Sequence, residues 1–232
     1  MQKVLSLLLL TSLLAASCRK SATIEPTTGD VLTNVDKKAG PGAGIRDDIS
    51  YTLDGLPADH SNIKLDDDNV IEVYLNDGVV HVFSNTHEFE TWAATTEYGD
   101  QLIAKNNQLL DFQAYATAHN VEESYNQTGE IPQDYTNYLN SHVNTPDRVL
   151  WCILSDGYNN TGDQFFWSLF PLPAMGSFDN RTSSLKGTFG LTAFCDKKWF
   201  FGRKLFLIAI PGSSWSFDAV FTNWNNRISS IF

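Results

Sequence analysis

Cysteine is scarce in this chain: 232 residues hold three, Cys18, Cys152 and Cys195. So few exclude a small disulfide-knit scaffold, and no Cys pair has the spacing of a zinc site. The five histidines, His60, His81, His87, His119 and His142, all precede residue 149 and share no ligand spacing. Bases are scarce too, with 16 Lys and Arg against 27 Asp and Glu and a formal net charge of −11. Binding nucleic-acid phosphates takes a dense basic surface, so nucleic acid is excluded as a partner. No Gly-x-Ser-x-Gly elbow and no Gly-rich phosphate loop occurs, and nothing in the sequence points to an enzyme. A hydrolase with its site in the acidic part has no motif behind it. The run Asp66-Asp67-Asp68 is no EF-hand either, because Ile71 and Asp77 stand where that loop needs Gly and Glu. It reads as a solvated acidic loop.

What is present begins with an export leader over residues 1–17. Lys3 gives the positive end, Val4 to Leu14 a short Leu-rich run, and Ala15-Ala16-Ser17 the small residues before Cys18. An apolar run of about eleven residues is too short to span a bilayer. The small-small-Cys ending resembles a bacterial lipobox, although Ala15 stands where that family more often has Leu. The resemblance implies lipidation of Cys18, a membrane partner reached through the lipid, and a place in the bacterial cell envelope, periplasmic or on the outer surface. An ordinary secretory signal is the alternative.

Charge then divides the mature chain. Residues 19–148 carry 22 acids and 8 bases, and residues 149–232 carry 5 acids and 7 bases. Residues 18–50, with Ala39-Gly40-Pro41-Gly42-Ala43-Gly44 at their centre, bury too little to fold and read as a tether. Residues 51–148 read as a small acidic α+β unit. Asn76-Asp77-Gly78 predicts a hairpin within Val70–Phe83, and Asn85 or Thr86 can cap a helix that begins near Glu88. From there to Val143 the apolar spacing favours helices.

From about residue 149 short aromatic and β-branched runs broken by Gly, Asn and Pro predict an all-β unit. An offset of 40 aligns Asp156 with Asp196, Gly162 with Gly202, Phe166 with Phe206 and Pro171 with Pro211. Beyond the prolines the second half is longer by six, and the words Asp179-Asn180-Arg181-Thr182-Ser183-Ser184 and Asn225-Asn226-Arg227-Ile228-Ser229-Ser230 then match. A repeat of about 40 residues cannot bury its own core, so the two should pack as a sandwich.

This pattern resembles the βγ-crystallin domain, a pair of Greek-key motifs. In that family a hairpin spaced aromatic, four residues, aromatic, one residue, Gly precedes Asx-Asx-x-x-Ser/Thr-Ser. Cys195, Phe200 and Gly202 keep all but the first aromatic; Ser155, Asn160 and Gly162 keep only the Gly. The resemblance implies a Greek-key sandwich holding calcium. Its ligands would be Asn180, Arg181 and Ser183, then Asn226, Arg227 and Ser229, with carbonyls from Asp156 and Asp196. Both arginines would lend their main-chain oxygen, with the charged heads turned to solvent. Because the two Asn are neutral, affinity should be weak and in the millimolar range. The same side chains could instead only cap their turns.

Three further expectations concern this part. Cys152 and Cys195 either form a disulfide or stay as buried thiols. The aromatic residues Phe165, Phe166, Trp167, Trp199, Phe200, Phe201, Trp215 and Trp224 are mostly core, and an exposed row of them would mark a protein or glycan partner. Some secreted microbial protease inhibitors share a crystallin-like fold, which makes the longer loop Gly212–Asn223 a candidate inhibitory segment.

Overall fold

The computed structural model describes residues 49–65, 67–143, 151–168, 170–188, 190–208, 213–217 and 224–232. The leader, Cys18 and most of the tether lie outside them. No described helix is long and apolar enough to cross a membrane.

Strands β1 (Ser50–Leu53) and β2 (Leu56–Ala58) open the chain. Next, β3 (Ile71–Tyr74) and β4 (Val79–Phe83) form the hairpin anticipated from Asn76-Asp77-Gly78, and Asn76 and Gly78 take the positive φ its turn requires, 64° and 81°. Asn85 caps α1 (Thr86–Ala93), its side chain accepting from the Glu88 N–H at 3.1 Å. Helices α2 (Gly99–Ala118), α3 (Val121–Thr128) and α4 (Gln133–His142) follow. The third ends on Gly129, a left-handed cap at φ 74°.

The first repeat supplies β5 (Trp151–Ser155), β6 (Gln164–Ser168) and β7 (Ser184–Thr188), and the second β8 (Leu191–Cys195), β9 (Lys204–Ile208), β10 (Ser213–Ser216) and β11 (Ser230–Ile231). One sheet runs β10-β7-β5-β6. The other runs β11-β8-β9-β3-β4-β1-β2, with β3 parallel to β9 and β1 parallel to β4. The fall in acidity at residue 149 is therefore not a break in the fold. Ile71 pairs with Lys204 and Tyr74 with Leu207, so the acidic part extends the sheet of the second repeat.

The seven-stranded sheet is the middle of three layers, and strand alternation assigns its two faces. Toward the four-stranded sheet it turns Val80, Val82, Phe194, Leu205 and Leu207, which pack with Leu154, Leu185, Trp167, Phe217 and Trp224. Toward the helices it turns Ile71, Val73, Phe83, Ala193 and Phe206, which pack with Phe89, Leu102, Leu109, Phe112 and Tyr135. Phe89 stacks on Phe206 at 5.5 Å and 11°, joining α1 to the second repeat. Full burial of one such ring is worth roughly 1.5–3 kcal/mol. Cys152 and Cys195 are free, buried thiols that belong to different packing clusters, so the disulfide is not formed.

Candidate functional site: two oxygen-rich turns at one end of the sandwich

Each repeat builds the same hairpin. Asp156 and Asp196 receive backbone bonds from the far side of their loops, their Oδ1 atoms accepting from the Asp163 N–H at 2.8 Å and the Arg203 N–H at 2.9 Å. Between these residues the chain makes a tight turn with two non-glycine residues at positive φ, Asn159 and Asn160 in the first repeat and Trp199 and Phe200 in the second. Left-handed conformations cost of order 1–3 kcal/mol for such residues unless the surroundings hold them. They are held by the last Ser of each word. Ser184 Oγ donates to Gly157 O at 2.6 Å and accepts from the Asn160 N–H at 2.9 Å. Ser230 Oγ donates to Lys197 O at 2.7 Å and accepts from the Phe200 N–H at 3.2 Å. Both serines are wholly buried.

The two words meet one another across the repeat. Asn180 and Asn226 adopt the same left-handed conformation, φ 55° and 56°. The Asn180 N–H donates to Ile228 O at 3.0 Å, and the Asn226 N–H to Thr182 O at 2.9 Å. Ser229 Oγ donates to Asn180 Oδ1 at 3.1 Å and lies 3.1 Å from Asp196 O. In the counterpart, Ser183 Oγ donates to Asn226 Oδ1 at 3.3 Å. The structure brings these side-chain oxygens together and pairs each Asn with the Ser of the other repeat. Ser183 and Ser229 are 3% and 2% exposed, whereas both Asn lie open to solvent. The first letters of the words are tied across as well, Asp179 to Lys198 at 3.4 Å and Asn225 to the Tyr158 hydroxyl at 3.2 Å.

Arg181 departs from the expectation that its head faces solvent. Its guanidinium folds back to Asp156 at 2.5 Å and Asp163 at 2.7 Å, over the Phe178 ring. It is paired with two carboxylates across the first hairpin while the side chain stays 40% exposed. Arg227 is half-buried. In the second repeat the residue aligned with Asp163 is Arg203, which turns away from the hairpin to the buried Glu72 of β3. Burial pushes the Asp196 carboxyl up from its ordinary range, and Arg203 opposes that shift. Among the described residues no three His, Cys, Asp or Glu side chains gather, so the ends of the sandwich offer neutral oxygens rather than a carboxylate cage. These are hard donors of the type that calcium takes.

Of the aromatic residues singled out, Trp167, Trp199, Phe200 and Trp224 are core, whereas Phe166 is 63% exposed. Within the longer loop of the second repeat, Ser213–Ser216 form β10 and pair with β7. Cys18, the lipidation candidate, lies outside the described residues.

No family model and no curated protein matches the chain. A solved structure described as a betagamma-crystallin from an Archaea is similar to it, at 22% identity and a TM-score of 0.32, over 36% of this chain and 96% of its own. The chain resembles a betagamma-crystallin over that third of its length.

Proposed function

We propose that residues 149–232 form a pair of Greek-key motifs whose twin turns bind calcium weakly, stabilising an envelope lipoprotein that acts as a structural or binding module. Strand exchange supports the topology. The first sheet takes β10 from the second repeat, and the second repeat's sheet takes from the first the bridge between Leu172 and Ile231. The single observation that carries calcium is the oxygen spacing. Asn180 Oδ1 and Asp196 O both lie 3.1 Å from Ser229 Oγ. Two ligands about 2.4 Å from one ion and roughly 80° apart are separated by about that distance.

Asn180, Ser229 and the Asp196 carbonyl would hold one ion, and Asn226, Ser183 and the Asp156 carbonyl the other, with Arg181 and Arg227 lending main-chain oxygens. Calcium would add a cross-link between the repeats to the hydrogen bonds that already join the two words. With no carboxylate in either set, the dissociation constant belongs in the millimolar range of extracellular modules. At ten times that concentration each site adds about 1.4 kcal/mol. The leader and Cys18 support attachment to the envelope through lipid.

Calorimetry of the full chain tests the reading. The isolated C-terminal part is unsuitable, because β3 completes its sheet. Millimolar calcium should raise the melting temperature by roughly 5–10 °C when both sites fill, and chelation should reverse it. A melting temperature indifferent to 20 mM calcium would leave the turns as caps and nothing more.

A further inference from the structure

Among the described residues strand β6 is an edge of the four-stranded sheet, with β5 as its one neighbour. Its residues, Gln164-Phe165-Phe166-Trp167-Ser168, include no proline, lysine or other charge, the features that usually guard an edge against pairing. Of the other edges, β2 has three residues and contains Pro57, β11 has two, and β10 (Ser213–Ser216), equally free of proline and charge, has four with one aromatic. Alternation turns Trp167, 6% exposed, into the core, and places Gln164, Phe166 and Ser168 on the outer face. Phe166 is 63% exposed there, stacked on Trp151 with centroids 6.3 Å apart and 21° between planes, and Phe170 just beyond is 56% exposed.

We propose that a second copy of this chain pairs with β6 through its own β6, antiparallel, across a two-fold axis at Phe166. The outer face reads polar, aromatic, polar, which is the same in both directions and so is self-complementary under a two-fold. Phe166 then meets its mate, and Gln164 meets Ser168, an amide against a hydroxyl. Charge fits the same arrangement. Across the sheet the row from the edge is Phe166, Ile153, Lys186, Ser214, apolar at the rim and basic two strands in. A two-fold at the rim joins the apolar ends and leaves the two Lys186 about 24 Å apart at five strand spacings, well beyond the screening length. One strand edge and a pair of aromatic residues make a small interface of the weak, reversible class.

Sedimentation of the full chain carrying Cys18→Ser, which removes that thiol from the readout, should show dimer between roughly 5 and 300 μM. Phe166→Lys should weaken it at least tenfold, with a melting curve close to the parent's at dilutions where both are monomers, since the exposed side chain loses only its contact with Trp151. In the same background Phe166→Cys should oxidise to a covalent dimer, because residues opposed across antiparallel strands lie within disulfide reach, and Lys186→Cys should not. A monomer throughout the range, a dimer indifferent to Phe166→Lys, or equal cross-linking at the two positions would overturn the proposal.

Discussion

Gly202 lies so close to Asp196 that a Cβ on it would stand 2.0 Å from Asp196 Oδ1. Its φ is +76°, and the aligned Gly162 is in the same state at +79°, with Asp156 Oδ1 at 2.1 Å. Steric room and backbone conformation demand glycine for independent reasons. Gly202→Ala should therefore destabilise the chain by about 3 kcal/mol, from left-handed strain together with loss of the Asp196 bond to the Arg203 N–H. Urea unfolding measures it, and a loss below about 1 kcal/mol would show that the hairpin relaxes freely.

The two serines that end each word have separate tasks, which substitution can divide. Ser230→Ala leaves the buried Phe200 N–H without its acceptor and should cost roughly 2 kcal/mol, with or without calcium. Ser229→Ala removes an oxygen shared with Asn180 and Asp196. It should cost about 1 kcal/mol without calcium and also halve the calcium-dependent rise in melting temperature. Equal losses from the two variants in both conditions would refute that division.

Legibility in the sequence followed from how local each signal was. Asn76-Asp77-Gly78 and the Asn85 cap act within their own turns and could be read from residue type; the two words stood out by repetition, whereas their side chains bond across the repeats, up to 49 residues away. Pairing of β3 with β9 joins segments some 130 residues apart through backbone groups, which carry no residue code. One signal did exist. The run Lys204-Leu205-Phe206-Leu207-Ile208 has no polar alternation after its lysine, as expected of a strand covered on both faces. Arg203 was equally opaque, because its partner Glu72 sits in what reads as an ordinary hairpin strand.

Burial pushes both thiols up to about 12. Thiolate is the reactive form, so Cys152 and Cys195 should resist alkylation in the native protein at pH 8 and react together on unfolding. Mass spectrometry after an iodoacetamide pulse would read the labels. Rapid native labelling of either would mean that its strand opens locally.

Glu72 accepts from the Trp224 indole N–H at 2.9 Å and bonds the Arg203 guanidinium, which also lies over the Trp224 ring, 5.0 Å from its centroid. Desolvation, the largest influence, raises its pKa, and Arg203 and Trp224 oppose the shift. A carboxyl whose folded pKa lies above its unfolded value binds more protons when folded. Its contribution to stability is therefore greatest at low pH and declines as pH rises above about 4.5, the unfolded value. Glu72→Gln keeps an oxygen for Trp224 and removes the titration. Relative to the parent it should gain stability as pH rises above the unfolded value, until the raised folded pKa is passed. Glu72→Ala, which takes a bonded partner from a buried guanidinium, should instead cost roughly 3 kcal/mol. Denaturant midpoints between pH 4 and pH 8 decide the matter: parallel curves for the parent and Glu72→Gln would mean that Glu72 is ionised in the fold as in the unfolded chain, and that Arg203 outweighs burial.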